Sequence, residues 1–140
     1  MNPIKLFFVS FVCFAFSVSA QITTIKENQL PDAVKSAFGQ KFPNAKGVTW
    51  RVNEERYDAV FKSEGKVVDA HFSKEGVFSN TETSLKTKNL PAIIIASIQS
   101  SEYAEWKLVR AGFIETNKNI TYYKVGFLKG GENKFILFDT

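Results

Sequence analysis

A single histidine is the first candidate for chemistry in this chain. His71 lies in a run of alternating apolar and polar residues, between Ala70 and Phe72. A catalytic histidine needs a nucleophile or an acidic residue beside it, and a metal-binding histidine needs further nitrogen or carboxylate ligands. The alternation places His71 on the outer face of a strand, where we expect an ordinary exposed histidine.

Two pairs of carboxylates are the second candidate. Glu54 and Glu55 fall in a short polar link, and Glu102 and Glu105 follow an apolar helical segment. Paired carboxylates can perform acid–base catalysis, but solvated turn residues have the same appearance, and we predict such turns here. The sequence shows no phosphate-binding loop, no dinucleotide fingerprint and no Gly-x-Ser-x-Gly motif. We therefore predict no enzymatic activity, no cofactor and no metal site.

The first twenty residues have the composition of a secretory signal peptide. Lys5 precedes an apolar run from Leu6 to Phe16, and Val18 and Ala20 fit the pattern before a cleavage site. The run is well short of the roughly 20 residues that a membrane-spanning helix needs. We predict a signal peptide over residues 1–20, no stable membrane insertion after its cleavage, and a periplasmic or secreted location.

The predicted mature chain, residues 21–140, has little in its composition that suggests a nucleic-acid partner. The only cysteine, Cys13, lies in the signal peptide, so the mature chain contains no disulfide and no thiolate. The net charge of the whole chain is +4. Basic and acidic residues are interspersed, which argues against binding to nucleic acid or to an anionic membrane.

A helix is predicted near the start of the mature chain. Apolar residues recur at helical spacing from Leu30 to Phe42, which indicates one face of an amphipathic helix. Pro31 suits the first helical position, and Pro43 blocks continuation of the helix. Residues 21–28 precede it as a loose arm or an edge strand.

Strands are predicted after Pro43, where the apolar period changes to alternation. Alternating runs occupy residues 48–52, 57–61 and 68–72, and residues 77–83 form a fourth predicted strand. Short polar links separate the runs, and Gly65 and Gly76 can supply the positive φ of tight turns.

The same order of elements then restarts. Leu90 and Pro91 repeat Leu30 and Pro31, a second helical pattern follows, and alternating strands end the chain. Corresponding later strands of the two halves are further apart in sequence than the two helices are. This difference predicts an insertion within residues 110–119.

These patterns predict an α+β fold within one domain. We expect two tandem helix-plus-antiparallel-meander units, at about residues 26–84 and 85–140. Neither an amphipathic helix nor a short meander can bury its apolar face alone. The two units can join their sheets with both helices packed on one face, which leaves the other face open to solvent or to a partner.

Alternation along the strands separates predicted core residues from open-face residues. Aromatic residues at matching places in the two units are predicted to lie in the core: Trp50, Tyr57, Phe61, Trp106, Tyr123 and Phe127. The open face combines tyrosine, arginine and exposed apolar residues, as protein-binding surfaces do. We predict a partner-binding face made of Arg51, Asp58, Val60, His71, Tyr122, Lys124, Phe135 and Leu137.

Several stretches resemble a known family. "LPDAVKSAFGQKFPNAKGVTW", "YDAVFKSEGKVVDAHFSKEG", "TETSL" and the second "LP" are similar to the PepSY-like family of exported Bacteroidetes proteins, which is described as β-lactamase-inhibitor-like. The resemblance covers about residues 26–140 and is strongest between Leu30 and Leu90. It implies an α+β fold of two similar units. In the β-lactamase inhibitor the open sheet face grips an enzyme, and PepSY domains elsewhere are linked to the restraint of proteases.

The sequence thus predicts an exported, non-enzymatic binding module of the protease- or hydrolase-inhibitor type. It would bind an unidentified protein or peptide through the open sheet face. The alternative is a periplasmic domain that binds a small ligand or peptide in a pocket between the helices and the sheet. Inward-pointing clusters of polar residues would favour this alternative, and the inward positions are nearly all apolar. The pattern makes no prediction of the oligomeric state.

Overall fold

The computed structural model describes residues 22–140. The predicted signal peptide and its cleavage site lie outside the described residues. Within residues 22–140, neither helix is long and apolar enough to cross a bilayer.

The described chain forms eight strands and two α-helices. Their bounds are β1 Thr23–Ile25, α1 Asp32–Lys41, β2 Thr49–Asn53, β3 Arg56–Ser63, β4 Lys66–Ser73, β5 Phe78–Leu85, α2 Ala92–Gln99, β6 Lys107–Thr116, β7 Thr121–Lys129 and β8 Glu132–Asp139. A short 3-10 helix precedes each α-helix, at Glu27–Gln29 and Thr87–Asn89. The predicted lead-in thus contains an edge strand, and the predicted fourth strand is β5.

All eight strands belong to one antiparallel sheet, in which each strand pairs with the next in the chain. The strands after α1 and the strands after α2 meet where β5 pairs with β6, from Asn80 opposite Thr116 to Leu85 opposite Ala111. The α+β prediction is therefore confirmed, and the sheet is continuous from β1 to β8.

Both helices pack on the same face of this sheet. Leu30 and Val34 of the first helical segment are buried with Trp50, Phe61 and other residues of β2–β4. A second cluster buries Leu90, Ile94 and Ile98 against β6 and β7. The two clusters are separate, so the backbone pairing of β5 with β6 joins two helix-covered cores into one sheet.

The first helix follows its sequence pattern closely. Pro31 is the residue before the helix rather than its first helical residue, and Asp32 begins the first turn, where the helix dipole favours negative charge. The N–H of Phe42 donates to the carbonyl oxygen of Phe38 over 2.8 Å, and the helix ends before Pro43. Phe38 lies edge-on to the Trp50 ring with their centroids 4.9 Å apart.

The predicted core aromatics are confirmed. Trp50, Phe61 and Phe127 are buried, and Tyr57, Trp106 and Tyr123 pack half-buried against the two clusters. Trp50 and Trp106 do not occupy equivalent positions in the two units, however, so this part of the prediction is wrong.

The longer hairpin of the second unit explains this difference. In the first unit, Ala59 pairs with Trp50. In the second unit, Val125 corresponds to Ala59 and pairs with Ala111. Ala111 therefore takes the position of Trp50, and Trp106 lies in the turn before β6. The additional residues extend the β6–β7 hairpin, within the segment where an insertion was predicted.

The turn between β4 and β5 packs closely against α1 at Gly76. Gly76 has a φ of +78°, and a Cβ placed on it would lie 2.4 Å from the carbonyl oxygen of Ala33. Only glycine allows this turn to approach the helix so closely. Gly65 has a φ of +74°, but open space surrounds it.

We predict that Gly76→Ala lowers the free energy of unfolding by about 2–4 kcal/mol, because it adds both left-handed strain and a backbone clash. Gly65→Ala is the matched control, since it adds the strain alone and should cost about 1 kcal/mol. Urea denaturation of both variants measures the difference. Equal losses for the two variants would contradict the close packing of this turn on α1.

Candidate binding face on the open side of the sheet

The eight residues predicted for the binding face all lie on the side of the sheet opposite the helices. Arg51 pairs with Asp58, and Asp58 pairs with His71, so these three form one row across β2, β3 and β4. In the second unit, Lys124 pairs with Leu137. Val60, Tyr122 and Phe135 have the same side-chain direction by alternation along their strands.

A broad concavity of about 790 Å³ occupies the middle of this face. Five of the eight predicted residues line it, and Tyr122, Phe135 and Leu137 lie outside its lining. Apolar and polar residues from β2 to β7 share the lining. Its charged side chains are Arg51, Arg56, Asp58, Asp69, Glu82, Lys86, Arg110 and Lys124. It spans the junction of β5 with β6, so both halves of the sheet form it.

The expectation of an ordinary exposed His71 is wrong. His71 is 8% exposed and Asp58 is 1% exposed, although neither helix of residues 22–140 covers their side of the sheet. The Nδ1 atom of His71 lies 2.7 Å from Oδ1 of Asp58. Arg56, on the same strand as Asp58, bonds this pair, and Oδ1 of Asp69 lies 3.8 Å from Nδ1 of His71.

Asp58 accepts hydrogen bonds from two sides. Arg56 donates from Nε over 2.8 Å and from Nη2 over 3.2 Å. Burial raises the pKa of Asp58, but the hydrogen bonds and charges of His71 and Arg56 outweigh it and hold that pKa below the usual 3.8. Because an ionised carboxylate can only accept, the Nδ1 of His71 carries the shared proton.

Asp69 is the less satisfied carboxylate of the cluster. Arg51 donates from Nη2 to its Oδ2 atom, but its Oδ1 atom is buried without a hydrogen-bond partner among the described residues. Burial and the nearby charge of Asp58 raise the pKa of Asp69, although His71 and Arg51 oppose this shift. Asp69 therefore takes up a proton before Asp58 as the pH falls.

These residues could in principle hold a cation, because ligand atoms of Asp58, Asp69 and His71 lie within 4.8 Å of one another. Both carboxylates are already bonded by guanidinium groups, those of Arg56 and Arg51. A divalent cation would have to displace these groups and would meet their positive charge. The arrangement favours a charge-balanced ion-pair network over a metal site.

A histidine oriented by an aspartate can also act as a general base. That role needs a nucleophile or a substrate proton at the other ring nitrogen. Among residues 22–140, the hydroxyl bonded to His71 is that of Ser79, and it donates to the backbone carbonyl oxygen rather than to the ring. The Asp58–His71 pair thus forms part of the floor of the concavity.

The second half of the face depends on two glycines. A Cβ on Gly112 would lie 3.1 Å from Oε1 of Glu82, so the missing side chain lets Glu82 reach across β6. Lys124 on β7 then donates to Oε2 of Glu82 over 2.8 Å. In this way one ion pair spans three strands and ties the two units together on their open face.

Gly126 has a similar role beneath an aromatic ring. A Cβ on Gly126 would lie 2.9 Å from Cε1 of Phe135 and 3.1 Å from Cβ of Arg110. The Phe135 ring therefore lies over β7, where the Nζ of Lys124 is 5.2 Å from its centroid. Phe135 remains 51% exposed and Leu137 54% exposed, so an apolar patch borders the concavity.

Sequence reasoning missed five charged residues of this face: Arg56, Asp69, Glu82, Lys86 and Arg110. A usable signal existed for the Asp58–His71 pair. Glu64 and Gly65 both have positive φ and form the two-residue turn between Ser63 and Lys66. That turn sets the register in which Asp58 faces His71.

The lowered pKa of Asp58 predicts an acid-linked loss of stability. Its ionised form stabilises the fold above a pH of about 3.8, and this contribution is lost as the pH falls through the folded-state pKa. Asp58→Asn should cost about 3 kcal/mol or more near neutral pH, because it leaves Arg56 and His71 without their buried partner. Urea denaturation should show that this cost shrinks below pH 3.8.

Asp69→Asn is the matched control for that measurement. The raised pKa of Asp69 means that its ionised form opposes folding at neutral pH, so its removal should cost less than the removal of Asp58. A cost of Asp58→Asn that is independent of pH, or smaller than the cost of Asp69→Asn, would contradict the network described here.

The chain shares this architecture with solved structures from Bacteroides. A protein of the DUF2874 family from Bacteroides ovatus has 22% sequence identity and a TM-score of 0.70, over 79% of this chain and 80% of that chain. A BLIP-like protein from Bacteroides fragilis has 23% identity and a TM-score of 0.66, over 79% of each chain. These likenesses show the fold.

A third structure, from Bacteroides eggerthii, is described as a "putative periplasmic" protein. It has 19% identity and a TM-score of 0.68, over 79% of this chain and 81% of that chain. No curated protein matches the chain.

A family model described as "Putative beta-lactamase-inhibitor-like, PepSY-like" matches residues 17–54 and 55–138. The match spans both helix-plus-sheet units and confirms the resemblance carried by the Leu-Pro helix starts. The chain therefore belongs to the PepSY-like, β-lactamase-inhibitor-like family.

Proposed function

We propose that this protein is a non-enzymatic binding module of the periplasm that holds a protein partner on its concave, open sheet face. The observation that carries the proposal is an eight-stranded sheet whose face opposite α1 and α2 combines a network of ion pairs with exposed apolar side chains. The periplasmic location is supported by the description of the Bacteroides eggerthii neighbour.

The composition of this face suits a protein partner. Phe135 and Leu137 are each about half exposed, and large apolar residues of this kind act as anchors in protein interfaces. The ion pairs of the floor hold their side chains in place before binding, so a partner would pay less ordering entropy on association. An inhibitor-like role follows the same logic, since a rigid concave face can cover a protruding segment of an enzyme.

The geometry favours the open face over a pocket between the helices and the sheet. On the helix side, a groove of about 390 Å³ lies between the two cores, with Val68, Leu85 and Phe113 in its lining. The converging charged groups, Asp58, Asp69 and His71, lie on the opposite side. The helix-side groove also has Glu64, Lys66 and Asn89 in its lining, but these three side chains are exposed, whereas the polar groups that orient a small molecule are placed within its pocket.

The proposal predicts that single charges on the open face abolish binding. Val67 lines the concavity and Leu137 lies beside it, and both side chains are exposed. Val67→Glu and Leu137→Glu should each release a partner that the wild-type chain captures from native periplasmic extract, because each places a charge where apolar contact forms. Quantitative mass spectrometry of the retained proteins provides the measurement.

Ile93→Glu is the matched control, since Ile93 is an exposed apolar residue on α2, on the helix side of the sheet. It should leave capture unchanged, and thermal unfolding should show that all three variants remain folded. A partner retained equally by Val67→Glu and Leu137→Glu would place the binding site elsewhere. A wild-type chain that retains no specific protein would contradict the proposal.

A further inference from the structure

Two basic side chains of the concavity have no acidic partner among the described residues. The acidic residues of the lining are each bonded to a base, in the pairs Arg56–Asp58, Arg51–Asp69 and Lys124–Glu82. Arg110 and Lys86 remain, and neither makes an ion pair or a side-chain hydrogen bond within residues 22–140. The concavity therefore carries an excess of positive charge that is confined to these two residues.

Arg110 and Lys86 lie next to each other at the junction of the two units. Leu85 pairs with Ala111 at the end of the β5–β6 ladder, so Lys86 and Arg110 occupy the following positions, one residue beyond each. Both residues are exposed and both line the concavity. Like charges placed opposite each other across a pair of strands are unfavourable, and an anion bound between them would relieve the repulsion.

An apolar surface adjoins this basic pair. The Cβ of Arg110 and the ring of Phe135 approach the same point above Gly126, and Leu137 follows Phe135 on the same face of β8. A ligand that carries a carboxylate next to an apolar side chain would satisfy both features at once. A small free anion would leave Phe135 and Leu137 uncovered.

On this basis, and resting on the proposed function, we infer that the partner presents an acidic segment whose Asp or Glu carboxylate binds between Arg110 and Lys86. Apolar side chains beside that carboxylate contact Phe135 and Leu137. The charge distribution distinguishes this occupant from nucleic acid, which would need a longer row of unpaired basic residues. The concave shape distinguishes it from a flat membrane surface.

A displayed library of random linear peptides tests the inference without knowledge of the natural partner. The baits are the wild-type chain, the double variant Lys86→Gln/Arg110→Gln, and the control Lys74→Gln/Lys118→Gln. The control removes the same charge from exposed turn positions. Peptides retained by the wild type and the control should be enriched in Asp or Glu beside apolar residues. By calorimetry, such a peptide should bind the double variant roughly tenfold or more weakly.

Three outcomes would overturn the inference. Selected peptides could lack acidic residues, could bind the double variant as tightly as the wild type, or could fail to appear with any bait. If a non-acidic peptide binds the wild type and loses binding in Leu137→Glu, the ligand is not acidic, but the open face is still the binding surface. Failure of the proposed function differs from this, because it appears as loss of specific capture from the periplasmic extract.

Discussion

The pairing of β5 with β6 is the interaction on which the rest of the structure depends. Each unit buries its own helix in its own cluster, and the two clusters do not merge. Six residue pairs between Asn80–Leu85 and Ala111–Thr116 join the units. β5 itself serves both cores, since Phe78 packs against the first cluster and Leu85 against the second. Without this ladder there would be two small half-sheets and no shared concavity.

The open face is polar at its centre because its charges are paired. Arg51–Asp69 joins β2 to β4 and Glu82–Lys124 joins β5 to β7, while Arg56 and Asp58 lie two residues apart on β3. Gly112 supplies the space that the last of these pairs needs. Because the buried carboxylate of Asp58 has two donors, Arg56 and His71, its burial is compensated.

Much of the fold could be predicted from the sequence. The helical spacing from Leu30 to Phe42 and the alternation in β3, β4 and β7 reflect periods that burial imposes on a chain. The same alternation assigned His71 and Lys124 to the correct side of the sheet. It could not predict how exposed they are, because alternation shows only the side of the sheet on which a side chain lies and not its contacts with side chains of other strands.

Register explains what the sequence could and could not show about the site. The Glu64–Gly65 turn is a local signal, so the pairing of Asp58 with His71 was within reach of sequence reasoning. The pairing of Arg110 with Gly126 and the bulge between Leu108 and Arg110 depend on the longer β6–β7 hairpin. The mismatch between Trp50 and Trp106 has the same cause, since β6 has ten residues where β2 has five.

Native-state hydrogen exchange along β5 and β6 tests the central claim most directly. If the ladder joins the two cores into one cooperative structure, the amides of β5 and β6 should exchange as slowly as those of β3 and β7. All of these amides should then share one opening free energy. Fast exchange at the β5–β6 ladder between two separately protected units would contradict the account, because the concavity would then have no fixed shape.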